Sequence, residues 1–305
     1  MRERTHRVRR LAGILAASVF VTNLAFAHAG ADVRFQAPVL WQIGHGAPAR
    51  FRECWELAFG DLDRDGRVDI VAPLLDSVAV YLGDGDGTFD VPLRFPLPGR
   101  TDHPTVADFD GDGALDIAWG GSHQVGVLFG DGTGRNWTRT TLETSDDWSA
   151  VLAGDFDGDG RKDLASTSID ASGTHWIRSY LSRPGRTFER HSEAQPAAWP
   201  KPPSFRVCDV NEDHLTDFVI GGSDAATVWV SDGDGTFTRT ASIPALTWGL
   251  DVGDIDGDGH ADVVIADHGS NFTIAMGRGD GTFGAPQFQP AGSVTTSTVA
   301  IGDLN

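Results

Sequence analysis

Asp155-Phe156-Asp157-Gly158-Asp159-Gly160-Arg161-Lys162-Asp163 sets four carboxylates within nine residues, with glycines at its fourth and sixth positions. Side chains this crowded oppose one another: two carboxylates about 4 Å apart repel by about 4 kcal/mol at an effective dielectric of 20. A stretch of this kind calls for a positive counter-ion. The same pattern, Asp-x-Asp-x-Asp-Gly-x-x-Asp, starts at Asp61, Asp108 and Asp254. A degenerate copy starts at Asp209, with Asn211 at its third position and His214 at its sixth.

The copies begin at 61, 108, 155, 209 and 254, at intervals of 47, 47, 54 and 45 residues. Periods in this range mark solenoids, propellers or arrays, and the content of one period decides between them. Ahead of the copies, apolar residues alternate, as in Leu57 and Phe59, Val151 and Ala153, or Leu250 and Val252. A period of two is a strand signal. A second strand follows each copy (Ile70-Val71, Phe218-Val219-Ile220, Val263-Val264-Ile265) and then a third (Val125 to Phe129, Val228-Trp229-Val230). Next comes a hairpin signature: Gly85-Asp86-Gly87-Thr88-Phe89, Gly233-Asp234-Gly235-Thr236-Phe237 and Gly279-Asp280-Gly281-Thr282-Phe283. Worn versions are Gly132-Thr133-Gly134 and Gly185-Arg186-Thr187-Phe188. Asp-Gly pairs supply the left-handed backbone of tight hairpins. No helix follows these glycines, so they are not read as a phosphate cradle.

Each period therefore predicts four strands and no helix, which is one propeller blade. The predicted fold is an all-β propeller with five complete four-stranded blades. Residues 33–54 and 300–305 read as partial blade pieces at the two ends, which predicts a truncated ring. A five-bladed ring with ragged ends is the alternative.

The acidic motifs and the hairpins together resemble the FG-GAP/VCBS repeat family over roughly residues 31–305. That resemblance implies a propeller like the head of integrin α-chains. It also implies that the acidic loop joins the first and second strands of a blade on one face of the ring.

Side chains at positions 1, 3, 5 and 9 of each copy offer hard oxygen ligands, and the carbonyl of position 7 offers another. The expected ion is Ca²⁺, since Gly at position 6 permits the sharp turn of a calcium loop. Oxygen donors without His or Cys disfavour zinc and copper. The candidate ligands are Asp61, Asp63, Asp65, Arg67 and Asp69; Asp108, Asp110, Asp112, Ala114 and Asp116; Asp155, Asp157, Asp159, Arg161 and Asp163; Asp209, Asn211, Asp213, Leu215 and Asp217; and Asp254, Asp256, Asp258, His260 and Asp262. Arg67, Ala114, Arg161, Leu215 and His260 enter through their carbonyls. An EF-hand would need Glu at position 12, where Ala72, Trp119, Ser166, Ile220 and Ile265 stand. His214 replaces the turn glycine, so the fourth site should be the weakest.

A net charge of −19 argues against nucleic acid as a partner, since binding its phosphates needs a basic surface. The acidity is concentrated: nineteen of the 43 acidic residues lie at the motif positions. Residues 1–27 read as a signal peptide, with Arg2 to Arg10 basic, Leu11 to Phe26 mostly apolar and Ala25-Phe26-Ala27 as a cleavage site. Residues 28–305 form the propeller. The expected location is secreted, periplasmic or cell-surface, with no membrane span after processing. Cys54 and Cys208 are placed on distant blades and are expected to stay unpaired.

No His-Glu-x-x-His, Gly-x-Ser-x-Gly or P-loop occurs. Trp55, Trp148 and Trp248 open inner strands six or seven residues before their motifs, and His103 takes a similar place. With His123 and His268 they define a candidate ligand face opposite the acidic loops. Aromatic platforms beside polar groups suit carbohydrate or protein ligands. Packing between blades is the competing role for the Trp residues. The function expected is a monomeric, non-catalytic, calcium-binding recognition or adhesion module. A polysaccharide lyase or hydrolase on the same ring is the alternative.

Overall fold

The structure is a computed structural model that describes residues 57–99, 101–121, 124–143, 148–169, 175–194, 204–267, 271–290 and 299–301. The signal-peptide region, residues 33–54 with Cys54, and residues 302–305 lie outside the described residues.

Five sheets of four antiparallel strands follow one another along the chain, each a simple meander. Blade 1 holds β1 (Ala58–Gly60), β2 (Asp69–Pro73), β3 (Ser77–Tyr81) and β4 (Leu93–Pro96). Blade 2 holds β5 (Thr101–Ala107), β6 (Asp116–Gly121), β7 (Gln124–Gly130) and β8 (Trp137–Glu143). Blade 3 is β9 (Trp148–Gly154), β10 (Asp163–Ile169), β11 (His175–Arg183) and β12 (Thr187–Ala194). Blade 4 is β13 (Phe205–Cys208), β14 (Asp217–Ile220), β15 (Ala225–Ser231) and β16 (Phe237–Pro244). Blade 5 is β17 (Thr247–Gly253), β18 (Asp262–Asp267), β19 (Asn271–Ala275) and β20 (Gln287–Pro290). The all-β propeller expectation and the five blades hold among the described residues, none of which is helical. Among the described residues no helix is long and apolar enough to cross a membrane.

Second and third strands are apolar on both faces because a blade lies on each side. β2 and β6 are buried throughout, whereas the outer strands β4 and β20 are mostly exposed or half-buried. First strands pack against first strands, β1 on β5, β5 on β9, β9 on β13 and β13 on β17. One apolar cluster fills each seam. Leu62, Val71 and Val80 meet Ile117 and Trp119 between blades 1 and 2. Val127 and Phe129 meet Val151 and Leu164 in the next seam. Phe156, Ile177 and Leu181 meet Phe218, Ile220 and Phe237 in the third. Val219 and Val228 meet Leu250 and Val263 in the fourth. Each such side chain contributes about 1.5–3 kcal/mol on burial. The far face of blade 5 (Val264, Phe272, Ile274) is packed by Val299 and Ile301.

Position 2 of the acidic motif belongs to these seams. Leu62, Phe109, Phe156 and Val210 are buried, each in the cluster shared with the following blade. Ile255, the same position in blade 5, is 37% exposed. An apolar residue at position 2 thus plugs the acidic loop into the next wedge.

Candidate metal centre

Each acidic loop joins the first strand of a blade to the second. Loops 1 to 5 are residues 61–69, 108–116, 155–163, 209–217 and 254–262. Their shape follows from the side chain at position 1, which folds the backbone over itself. Asp108 accepts hydrogen bonds from the amides of Gly111 (2.7 Å) and Gly113 (2.8 Å). Asp155 does the same with Gly158 and Gly160, and Asp254 with Gly257 and Gly259. Asp61 accepts from Asp65 and Gly66, and Asp209 from His214.

Such folding demands left-handed backbone at positions 4 and 6. Every copy has it, with φ from +60° at Arg64 to +92° at Gly259. Loop 4 meets the demand without glycine, at Glu212 (φ +61°) and His214 (φ +71°). A left-handed conformation costs a side chain with a Cβ about 1–2 kcal/mol, so loop 4, with two such residues where loop 1 has only Arg64, is the most strained copy.

Position 9 begins the second strand and is fully buried in all five loops: Asp69, Asp116, Asp163, Asp217 and Asp262. Each of these carboxylates is held by two amides. One comes from position 2 of its own loop: Leu62 (2.7 Å), Phe109 (2.9 Å), Phe156 (2.9 Å), Val210 (2.9 Å) and Ile255 (2.8 Å). The other comes from the residue after or at the end of the third strand: Gly83, Gly130, Ser182, Ser231 and Gly277, at 2.7–2.9 Å. Position 9 is therefore a staple binding loop, second strand and third strand. Burial pushes its carboxyl up, to about 7 for Asp116 and about 6 for Asp163 and Asp217, with the position 1 and 3 or position 5 carboxylates pushing the same way. Burial also raises Asp69. The two amides favour the charged form but do not outweigh desolvation.

Positions 1, 3 and 9 converge. Asp61, Asp63 and Asp69 bring one oxygen each to within 4.8 Å of one another. So do Asp108, Asp110 and Asp116; Asp155, Asp157 and Asp163; and Asp254, Asp256 and Asp262. Position 5 turns to its own loop instead, accepting from the amide of position 7, as Asp112 does from Ala114 (2.7 Å) and Asp213 from Leu215 (2.8 Å). In loop 4, Asn211 donates to Asp213. The donors are hard oxygens, and two of them, Asp63 Oδ1 and Asp209 Oδ1, are buried without a hydrogen-bond partner. A metal ion fits this demand for positive charge.

A family model for an FG-GAP-like repeat matches residues 74–119, 108–166, 209–265 and 254–305. The chain belongs to the FG-GAP-like repeat family. The family resemblance drawn from the acidic loops is thereby shown, and the Asp trios are the family's repeated feature. No curated protein matches the chain. Among solved structures, a lectin from Agrocybe aegerita, described by its specific recognition of non-reducing terminal N-acetylglucosamine, is similar at 20% identity and a TM-score of 0.55. The alignment covers 77% of this chain, which spans 65% of the length of that lectin. A mutant of AofleA from Arthrobotrys oligospora aligns at 12% identity and a TM-score of 0.50, covering 79% of this chain and 73% of that one. At these identities the likeness shows the fold.

The opposite end of this FG-GAP chain is less regular. Trp248 lies at a bulge near the start of β17 and is 55% exposed. His103 also lies at an irregularity, between Asp102 and Thr105, with φ +46°. Its ring is buried and meets that of Phe205 at 5.7 Å. Trp148 opens β9, paired with Ile169, but its side chain lies outside the description. Trp55, His123 and His268 lie outside the described residues. Cys208 is a free thiol, which burial and the Asp217 carboxylate push up to about 12; such a thiol is chemically inert.

The sequence pattern did not distinguish the staple role of position 9. The signal was present, because a small residue, Gly83, Gly130, Ser182, Ser231 or Gly277, recurs after each third-strand run.

Proposed function

We propose that this protein is an exported, calcium-binding β-propeller that acts as a non-catalytic recognition module, with carbohydrate as the first ligand class. The convergence of three carboxylates in four separate loops carries the calcium reading. Oxygen-only donors without nitrogen or sulfur favour a hard cation, and Ca²⁺ tolerates a carboxylate-rich, irregular shell better than Mg²⁺ does. At ten times its dissociation constant each ion adds about 1.4 kcal/mol, so calcium here is structural. The apolar position 2 residues tie loops 1 to 4 to the following wedge, which makes the ion a brace for blade order.

Recognition is supported by the exposed Trp248 at the end of blade 5 away from the loops, and by the fold's likeness to a lectin that recognises terminal N-acetylglucosamine. The basic and apolar N-terminal stretch supports export, where calcium is plentiful. The test is thermal melting and glycan-array binding, each with millimolar Ca²⁺ and with excess chelator. The expected result is a melting temperature lower by about 5–10 °C without calcium, together with glycan binding in its presence. Identical melting in both conditions removes the calcium role. Turnover on a glycan panel, in place of binding alone, removes the non-catalytic one.

A further inference from the structure

The hairpin between the third and fourth strands carries Asp in four blades, at Asp84 and Asp86, Asp131, Asp232 and Asp234, and at Asp280, which is offset by Arg278. In blade 3 it is basic: Arg183-Pro184-Gly185-Arg186. Both guanidinium groups are turned onto acidic loops. Arg186, itself left-handed at φ +63°, donates through Nε to Asp110 Oδ2 at 2.6 Å and reaches Asp112 at 3.3 Å. Its guanidinium also stacks 5.1 Å from the centre of the Phe129 ring. Arg183 donates to Asp157 Oδ2 at 2.9 Å and lies 3.7 Å from Asp159. Asp110 and Asp157 hold position 3 of loops 2 and 3, and their side chains are only 6% and 12% exposed. Loops 1 and 5 differ. Among the described residues no Arg or Lys pairs with Asp61, Asp63 or Asp69, nor with Asp254, Asp256 or Asp262; in loop 1 Arg67 pairs with Asp65 at position 5 only, and Asp63 keeps a buried oxygen without a hydrogen-bond partner.

We infer that the blade 3 hairpin is a built-in guanidinium clamp that takes the place of the divalent cation in loops 2 and 3, leaving loops 1 and 5 as the ion-dependent sites. The inference rests on the calcium reading of the Asp trios. A guanidinium cannot be deprotonated in a protein, so it neutralises the position 3 carboxylate at every pH and in any calcium concentration. It also opposes a second cation at the same oxygens. One hairpin thereby secures two loops and the seam between blades 2 and 3.

Calcium stoichiometry by isothermal titration calorimetry, on the wild-type chain and on Arg183→Gln/Arg186→Gln, tests this. Two ions for the wild type and four for the variant are expected, since four loops hold Asp trios. The added sites should bind at least about tenfold more tightly than any residual binding by loops 2 and 3 of the wild type. In chelator the variant should melt below the wild type. Four ions in the wild type, with no gain in the variant, overturns the clamp and keeps the calcium reading. None in the wild type and two in the variant keeps the clamp and overturns calcium in loops 1 and 5. No binding by either protein overturns both. If the double variant does not fold, Arg186→Gln alone opens loop 2: a rise by one ion supports the clamp, and an unchanged count overturns it.

Discussion

The two ends of the blades obey different rules. At the acidic-loop end the same contacts recur five times: position 9 takes one amide from position 2 and one from the end of the third strand or just past it, in every blade. At the other end the blades diverge, with an irregular start to β5, a bulge at Trp248 in β17 and regular pairing of Trp148 in β9. Repetition marks the end that holds the sheets in register. Variation marks the end where individual side chains are free to acquire a ligand.

This contrast is most exposed to failure at a staple. Replacing Asp163 with Ala leaves the amides of Phe156 and Ser182 buried without an acceptor. Each orphaned donor costs about 1–3 kcal/mol, so urea unfolding should show a loss of about 3–5 kcal/mol. A loss below about 1 kcal/mol, the least that one orphaned donor costs, would make the staple incidental.

Acidity gives the next effect. Asp116, with its carboxyl at about 7, and Asp163 and Asp217, at about 6, lie above the range of an unfolded chain. Their raised values favour the protonated folded state, a contribution fully present below the unfolded carboxyl range and lost as pH rises through about 6–7. Chelated protein should therefore be more stable at about pH 5.5 than at about pH 8, by roughly 2 kcal/mol. Calcium should leave this trend in place, since Asp116, Asp163 and Asp217 lie in loops 2, 3 and 4 and not in the ion-dependent loops 1 and 5. Parallel melting curves in both conditions would separate the carboxylates from the metal.

Strain in the degenerate repeat is a smaller matter. His214→Gly removes a left-handed side chain at φ +71° and should raise stability by about 1 kcal/mol. A decrease would mean that the 96%-exposed imidazole makes a contact worth more than the strain.

At the divergent end, Trp248→Ala should change stability by less than about 0.5 kcal/mol, as exposed substitutions do, while weakening glycan binding. A stability loss with unchanged binding would return Trp248 to a packing role.

Much of this organisation is readable from residue spacing. The 45- to 54-residue period and the alternating strand patterns lead to five blades, and the Asp spacing leads to the loops. All four Asp of a motif read alike in sequence, yet they divide by role: position 1 folds the loop, position 5 caps position 7, and position 9 is a buried staple. That division depends on burial, which spacing does not encode. The clamp is equally hidden, because Arg186 and Asp110 stand 76 residues apart and meet only once blades 2 and 3 are side by side. The bulge at Trp248 and the turn at His103 leave no mark in a pattern of apolar residues.

The meander has a consequence for biosynthesis. Among the described residues extensive packing runs only between consecutive blades, so each newly made wedge finds its partner already emerged, and the chain can acquire structure in the order it is translated. Position 2 of loops 1 to 4, the residue that reaches the following wedge, is then a waiting socket contact on the nascent chain. A ribosome-stalled chain that has exposed residues up to 253 should already show protease-resistant wedges ending in the fourth. Resistance that appears only on full release would mean that the wedges fold together.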